Sequence, residues 1–275
     1  MIPRGLRDAL GLLTVVPVSR LDDLDRDRAR TAMAWAPAVG LGVAAVASAV
    51  LLAARVLLAS PDRGPSGSGT PVETAGLAAV LAFATLAVLT GGLHLDGLAD
   101  TVDALASRAP RERVLQIMEE GSVGPLGVVA LIFVLAADVA ALTVAVRAHH
   151  GTQSLVVAVT AGRVAMLWGT VRGTPAARPT GLGALVAGVT GRTTAVAWTT
   201  ALLVGAGAFG YVDPGAASPA WALRAVVGVL VALAVGVFVR GYAIRRLGGI
   251  TGDVLGAIGE LATLAALLVL DIRRL

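Results

Sequence analysis

Seven apolar runs dominate the chain, at roughly 33–58, 72–93, 125–146, 152–171, 193–211, 219–240 and 253–271. Each is close to the ~20 residues that a helix needs to cross a bilayer. The pattern predicts an all-α, polytopic membrane bundle of about seven transmembrane helices, with residues 1–275 forming one membrane-embedded domain. A shorter run, Ala9 to Pro17, is too short to span and fits an interfacial or re-entrant helix. Residues 181–190 are candidates for a half-helix dipping into the membrane. The Pro/Gly/Ser-rich stretch 61–71 reads as a flexible loop. Pro3 and Pro17 bracket a short amphipathic segment that lacks a signal peptide's apolar core.

Composition supports the membrane reading and removes several chemistries. The 275 residues are 56% hydrophobic and 15% charged, against about 45–50% apolar in soluble domains. There is no cysteine, which excludes disulfides and thiolate metal sites. All 22 basic residues are arginine, so lysine Schiff-base and P-loop chemistry are excluded as well. The arginines sit beside apolar runs, which points to membrane orientation rather than nucleic acid. Most of them fall on the side that carries the N-terminus, placing that end in the cytoplasm. The same count puts the polar, glycine-rich segments 96–124, 172–192 and 240–253 on one cytoplasmic face.

The first of those segments carries the clearest chemistry. If helical, residues 93–103 place Asp96, Asp100 and Asp103 at i, i+4 and i+7 on one face. Like charges so arranged repel, and a bound divalent cation is the favoured remedy beside such apolar sequence. Carboxylates with room for water suit Mg²⁺ or Mn²⁺. His94, on another face, is either an interfacial hydrogen-bonding residue or a ligand. Glu120 either caps the next helix electrostatically or returns to the metal. Arg163 lies in mid-span, where a charge calls for a partner carboxylate or a ligand phosphate. Arg172 and Arg178 flank a glycine-containing turn able to grip phosphate. Asp253 reads as a helix N-cap or a functional carboxylate, and Glu260 as an intramembrane carboxylate facing a cavity or Arg163. Gly252, Gly256 and Gly259 form a small-residue packing stripe.

These motifs resemble a known family. His94-Leu95-Asp96-Gly97-Leu98-Ala99-Asp100-Thr101-Val102-Asp103, then Gly124-Pro125-Leu126-Gly127, then Gly248-Gly249-Ile250-Thr251-Gly252-Asp253 look like cobalamin (5′-phosphate) synthase, the adenosylcobinamide-GDP ribazoletransferases. The resemblance runs the length of the chain, with one departure: the family usually has Asp where this chain has Glu120, which keeps the charge on a longer arm. It implies a Mg²⁺-dependent transferase of the bacterial inner membrane. α-Ribazole or its 5′-phosphate would be joined to adenosylcobinamide-GDP with release of GMP. Asp96, Asp100, Asp103 and Glu120 would hold metal, and Asp103 or Asp253 would take the hydroxyl proton. His94, Arg163, Arg172, Arg178, Gly249, Thr251, Gly252 and Glu260 would bind substrate. The partners implied are those two substrates and the lipid bilayer, without nucleic acid; a homo-oligomer or a complex with other corrinoid-pathway enzymes is left open. Two alternatives compete. A CDP-alcohol phosphotransferase would need an Asp-x-x-Asp-Gly-x-x-Ala-Arg pattern that this chain lacks, and an ion-coupled transporter would favour internal repeats.

Overall fold

A computed structural model describes residues 2–18, 24–58, 70–121, 123–211 and 218–272. Within them the chain forms eleven helices: α1 (Arg4–Leu13), α2 (Arg26–Leu57), α3 (Val72–Thr90), α4 (Leu93–Ala106), α5 (Arg111–Glu120), α6 (Pro125–Arg147), α7 (Gly151–Gly169), α8 (Leu182–Val186), α9 (Arg192–Phe209), α10 (Pro219–Leu247) and α11 (Gly252–Leu270). The expected loop at 61–71 lies almost entirely outside the described residues. Five helices are long and apolar enough to span a membrane: α2, α3, α6, α10 and α11. They coincide with five of the seven expected spans, while α7 and α9 occupy the other two places without meeting that measure.

Burial explains why α7 is the less apolar helix. Every residue from Val157 to Leu167 is buried, because α7 is wrapped by α2, α10 and α11. A helix surrounded by protein needs no hydrocarbon-compatible face, so it can carry Thr160, Gly162 and Arg163. The outer helices show the opposite pattern. Phe133, Phe238, Val88 and Val204 stand exposed, as side chains facing lipid should.

Several devices gather polar segments at one end of the bundle. Asp25 caps α2 by accepting from the Arg28 N–H at 2.7 Å. Arg28 also donates to both oxygens of the buried Asp8 carboxylate, at 2.9 and 3.2 Å, which fastens α1 across the start of α2. Gly91 and Gly92 close α3 with two successive left-handed residues, a turn that suits glycine. The chain then reverses into α4, which lies against α11 and α6.

Candidate active site

The site is organised by a backbone-to-backbone crossing of α4 and α11. A Cβ on Gly97 would lie 2.7 Å from the Asp253 carbonyl oxygen, and one on Gly256 would lie 2.9 Å from that of His94. Two glycines, one on each helix, therefore bring the acidic face of α4 up to Asp253. Thr251, not Asp253, caps α11: its hydroxyl accepts from the Val254 N–H at 3.2 Å. Asp253 is left facing the cleft, with one carboxylate oxygen accepting from Thr251 Oγ1 at 3.2 Å.

Two loops complete the floor. Gly249 packs so tightly that a Cβ there would lie 2.4 Å from the Ala176 carbonyl carbon. Ala177 N–H donates to Ile250 O at 2.9 Å, and Ile250 N–H to Pro175 O at 3.0 Å. Arg111 locks a third segment onto these two. Its Nε donates to Leu247 O at 2.6 Å and its Nη2 to Ala177 O at 3.1 Å, while Arg178 donates to Leu115 O of α5. The three polar segments thus form one assembly.

A cleft of about 270 Å³ results, walled by Asp96, Arg178, Thr180, Thr251 and Asp253, with Leu12, Leu13 and Met33 from α1 and α2 on its apolar side. A wider opening of about 580 Å³ adjoins it and shares Leu12, Leu93 and Asp96. Asp96 is exposed between the two, whereas Asp100 is only 8% exposed. Burial first, then the charges of Asp96, Asp253 and Asp103, push the Asp100 carboxyl up to about 6. Burial, and then the neighbouring Arg163 charge, hold His94 well below its usual range, so its ring is neutral.

The remaining expected residues divide. Asp103 accepts from the Gly124 N–H at 2.7 Å and the Leu126 N–H at 3.1 Å. Gly124 has no side chain to cap α6, so a carboxylate from another helix does it. Gly127 clears the approach, since a Cβ there would lie 2.2 Å from Asp103 Oδ2. Glu120 pairs with Arg113 at 2.8 Å on the exposed face of α5. Arg172 is exposed and lines neither cleft. Arg163 and Glu260 share a separate internal cavity of about 30 Å³. Gly252 borders the cleft beside Leu182. The sequence assigned no site role to Arg111 or the α1 leucines and did not single out Asp138 of α6. Asp138 is fully buried with neither carboxylate oxygen hydrogen-bonded; a lone Asp inside an apolar run was the available signal.

An all-helical polytopic membrane protein with a mixed-charge cleft at one end of its bundle is the class that fold and site define. The model of the family described as cobalamin-5-phosphate synthase matches residues 5–271. A Frankia casuarinae adenosylcobinamide-GDP ribazoletransferase is 41% identical, covering 96% of this chain and 93% of its own. Enzymes of the same name from Nocardioides sp. and Citrobacter koseri are 38% and 37% identical, covering 95% and 92% of this chain and 96% and 94% of theirs. The chain belongs to the cobalamin-5-phosphate synthase family. No solved structure matches it.

Proposed function

We propose that this chain joins α-ribazole or its 5′-phosphate to the corrinoid arm of adenosylcobinamide-GDP, with release of GMP, in the bacterial inner membrane with the site facing the cytoplasm. The observation that carries the reading is the meeting of the Asp96 and Asp253 carboxylates with the Arg178 guanidinium in one cleft. A pyrophosphate requires both kinds of group. Arg178 can bind non-bridging oxygens directly, and carboxylates can recruit the cation that phosphoryl transfer uses for charge neutralisation.

Asp96 and Asp100 are the proposed Mg²⁺ ligands. Among the described residues, no three His, Asp or Glu side chains converge as a ready-made metal cage. Mg²⁺ asks for no such cage: it keeps several waters and takes one or two carboxylates plus substrate phosphate oxygens. The crowding of negative charge around Asp100 is the electrostatic counterpart of such a site. When bound, the ion would neutralise charge building between the phosphoryl groups.

In the transfer, a ribose hydroxyl oxygen bonds to the phosphorus on the corrinoid side. The bond from that phosphorus to the bridging oxygen breaks, and GMP leaves with the bridging oxygen. The hydroxyl proton goes to a carboxylate, and Asp253 suits this role because it faces the cleft with one oxygen held by Thr251. Asp103, with both oxygens engaged by the start of α6, acts as a positioning residue.

Purified protein in lipid, given both substrates and Mg²⁺, should release GMP; absence of release from folded protein rejects the assignment. Arg178→Ala should lower kcat/KM for the pyrophosphate substrate by about 100-fold. For orientation, Ser107→Cys should react with an impermeant thiol reagent only from the cytoplasmic side, against a background free of cysteine. Labelling from the opposite face would invert the topology.

A further inference from the structure

Arg163 is 4% exposed in the middle of α7, yet its path is open by construction. A Cβ on Gly40 of α2 would lie 2.7 Å from the Arg163 Cγ, and one on Gly259 of α11 would lie 3.1 Å from its Nη1. Two glycines on two helices thus clear a channel that delivers the guanidinium to α4. There Nη2 lies 3.3 Å from His94 Nδ1, and Nη1 lies 3.9 Å from Met166 Sδ. Glu260 borders the same small cavity and supplies opposite charge. Arg163 is therefore provided for inside the protein, away from the lining of the substrate cleft.

The direction of the Arg163–His94 contact has a chemical consequence. A guanidinium has donors and no acceptor, so Nδ1 accepts and the proton of the neutral ring sits on Nε2. That Nε2 is buried without a hydrogen-bond partner, and His94 borders the cleft two residues from Asp96. A buried N–H left unpaired is costly, and a ligand oxygen would satisfy it once substrate binding displaces the side chains that cover that nitrogen. We infer that Arg163 is a positioning residue that fixes His94 as an Nε2–H donor to a non-bridging phosphate oxygen of the substrate. The same tautomer withholds Nε2 from a metal, since imidazole ligates through an unprotonated nitrogen. His94 thereby serves the anion and leaves the cation to the aspartates.

The inference rests on the cleft being the pyrophosphate site, but its first test does not. Solid-state ¹⁵N spectra of histidine-labelled protein in lipid, with His94 identified by its loss in His94→Gln, should show Nδ1 unprotonated and Nε2 protonated. Arg163→Met, which keeps the length and removes the donors, should give a mixture of the two tautomers. A wild-type ring protonated at Nδ1 overturns the assignment. Adding GDP and Mg²⁺ should move the Nε2 resonance and leave Nδ1 in place; movement of Nδ1 alone counts against the donor role. In turnover, Gln can place an amide N–H near the Nε2 position and Asn cannot. His94→Gln should stay within about 10-fold of wild type while His94→Asn falls by about 100-fold. Equal losses in the two variants overturn the donor role. If GMP release is never seen while the spectra are as expected, the substrate reading fails and the Arg163–His94 assignment stands.

Discussion

Asp100→Asn is expected to reduce GMP release by about 1000-fold and, at the same time, to make the protein more stable. The folded protein raises the Asp100 carboxyl to about 6, against an ordinary value of 3.8. Between those values the folded state binds more protons than the unfolded one, so this group's contribution to stability falls as pH rises from about 4 to about 6. Above that range the penalty is constant. Asparagine never ionises and escapes it. At pH 7.5 the variant should gain about 1 kcal/mol, less than the full shift implies because the amide that replaces the carboxyl is itself a polar group buried in the same place. The gain should vanish near pH 4. Mg²⁺ should raise the Tm of the wild type above pH 6 and have little effect on the variant. A variant less stable than wild type at pH 7.5 would contradict the electrostatic account. Asp96→Asn should lose activity to a similar degree with a smaller gain in Tm, because its side chain is exposed.

Gly97→Ala should have the next largest effect, although it removes no polar group. The added Cβ would meet Asp253 O at 2.7 Å and Asp253 Cα at 2.9 Å, with backbone on the far side rather than a side chain that could swing away. One of the two helices must shift, carrying Asp253 away from Asp96 and Asp100. A displacement approaching 1 Å at a catalytic group costs about 100-fold in rate, and overpacking costs about 1–3 kcal/mol in stability. Gly42→Ala is the matched control: it lies exposed on α2, with nothing within 4 Å of its would-be Cβ, and should leave activity unchanged. Equal activity in the two variants would show that the crossing does not set the site.

The long helices were legible because hydrocarbon imposes a length and a composition, and five of them are long and apolar enough to span a membrane. Their apolar runs match helices from α2 to α11 within a few residues, apart from the N-terminal extension of α2 to Arg26 and the C-terminal extension of α10 to Leu247. The acidic face of α4 was legible for a similar reason, since a helical period turns spacing into geometry. What could not be read was which long-range partner each polar group would find. Asp103 looks like Asp96 and Asp100 along the chain, and only the return of Gly124 to α4 distinguishes it. Arg163 in mid-span signalled a need for a partner without saying that one would be a histidine 69 positions earlier. Glycines posed the converse problem. Gly97 and Gly256 are informative only once it is known that they face each other.

The double grip of Arg111 implies a particular pattern of breathing motions. One guanidinium holds the carbonyl at the end of α10 and the carbonyl of Ala177 together, with α5 behind it. An ammonium is a compact point charge that does not reproduce this planar two-way grip. The 171–190 loop, the turn at 248–251 and α5 should therefore loosen together as one cooperative unit rather than fray separately. In hydrogen-exchange measurements on Arg111→Lys, amide protection should fall in all three segments at once, although only one of them carries the substitution.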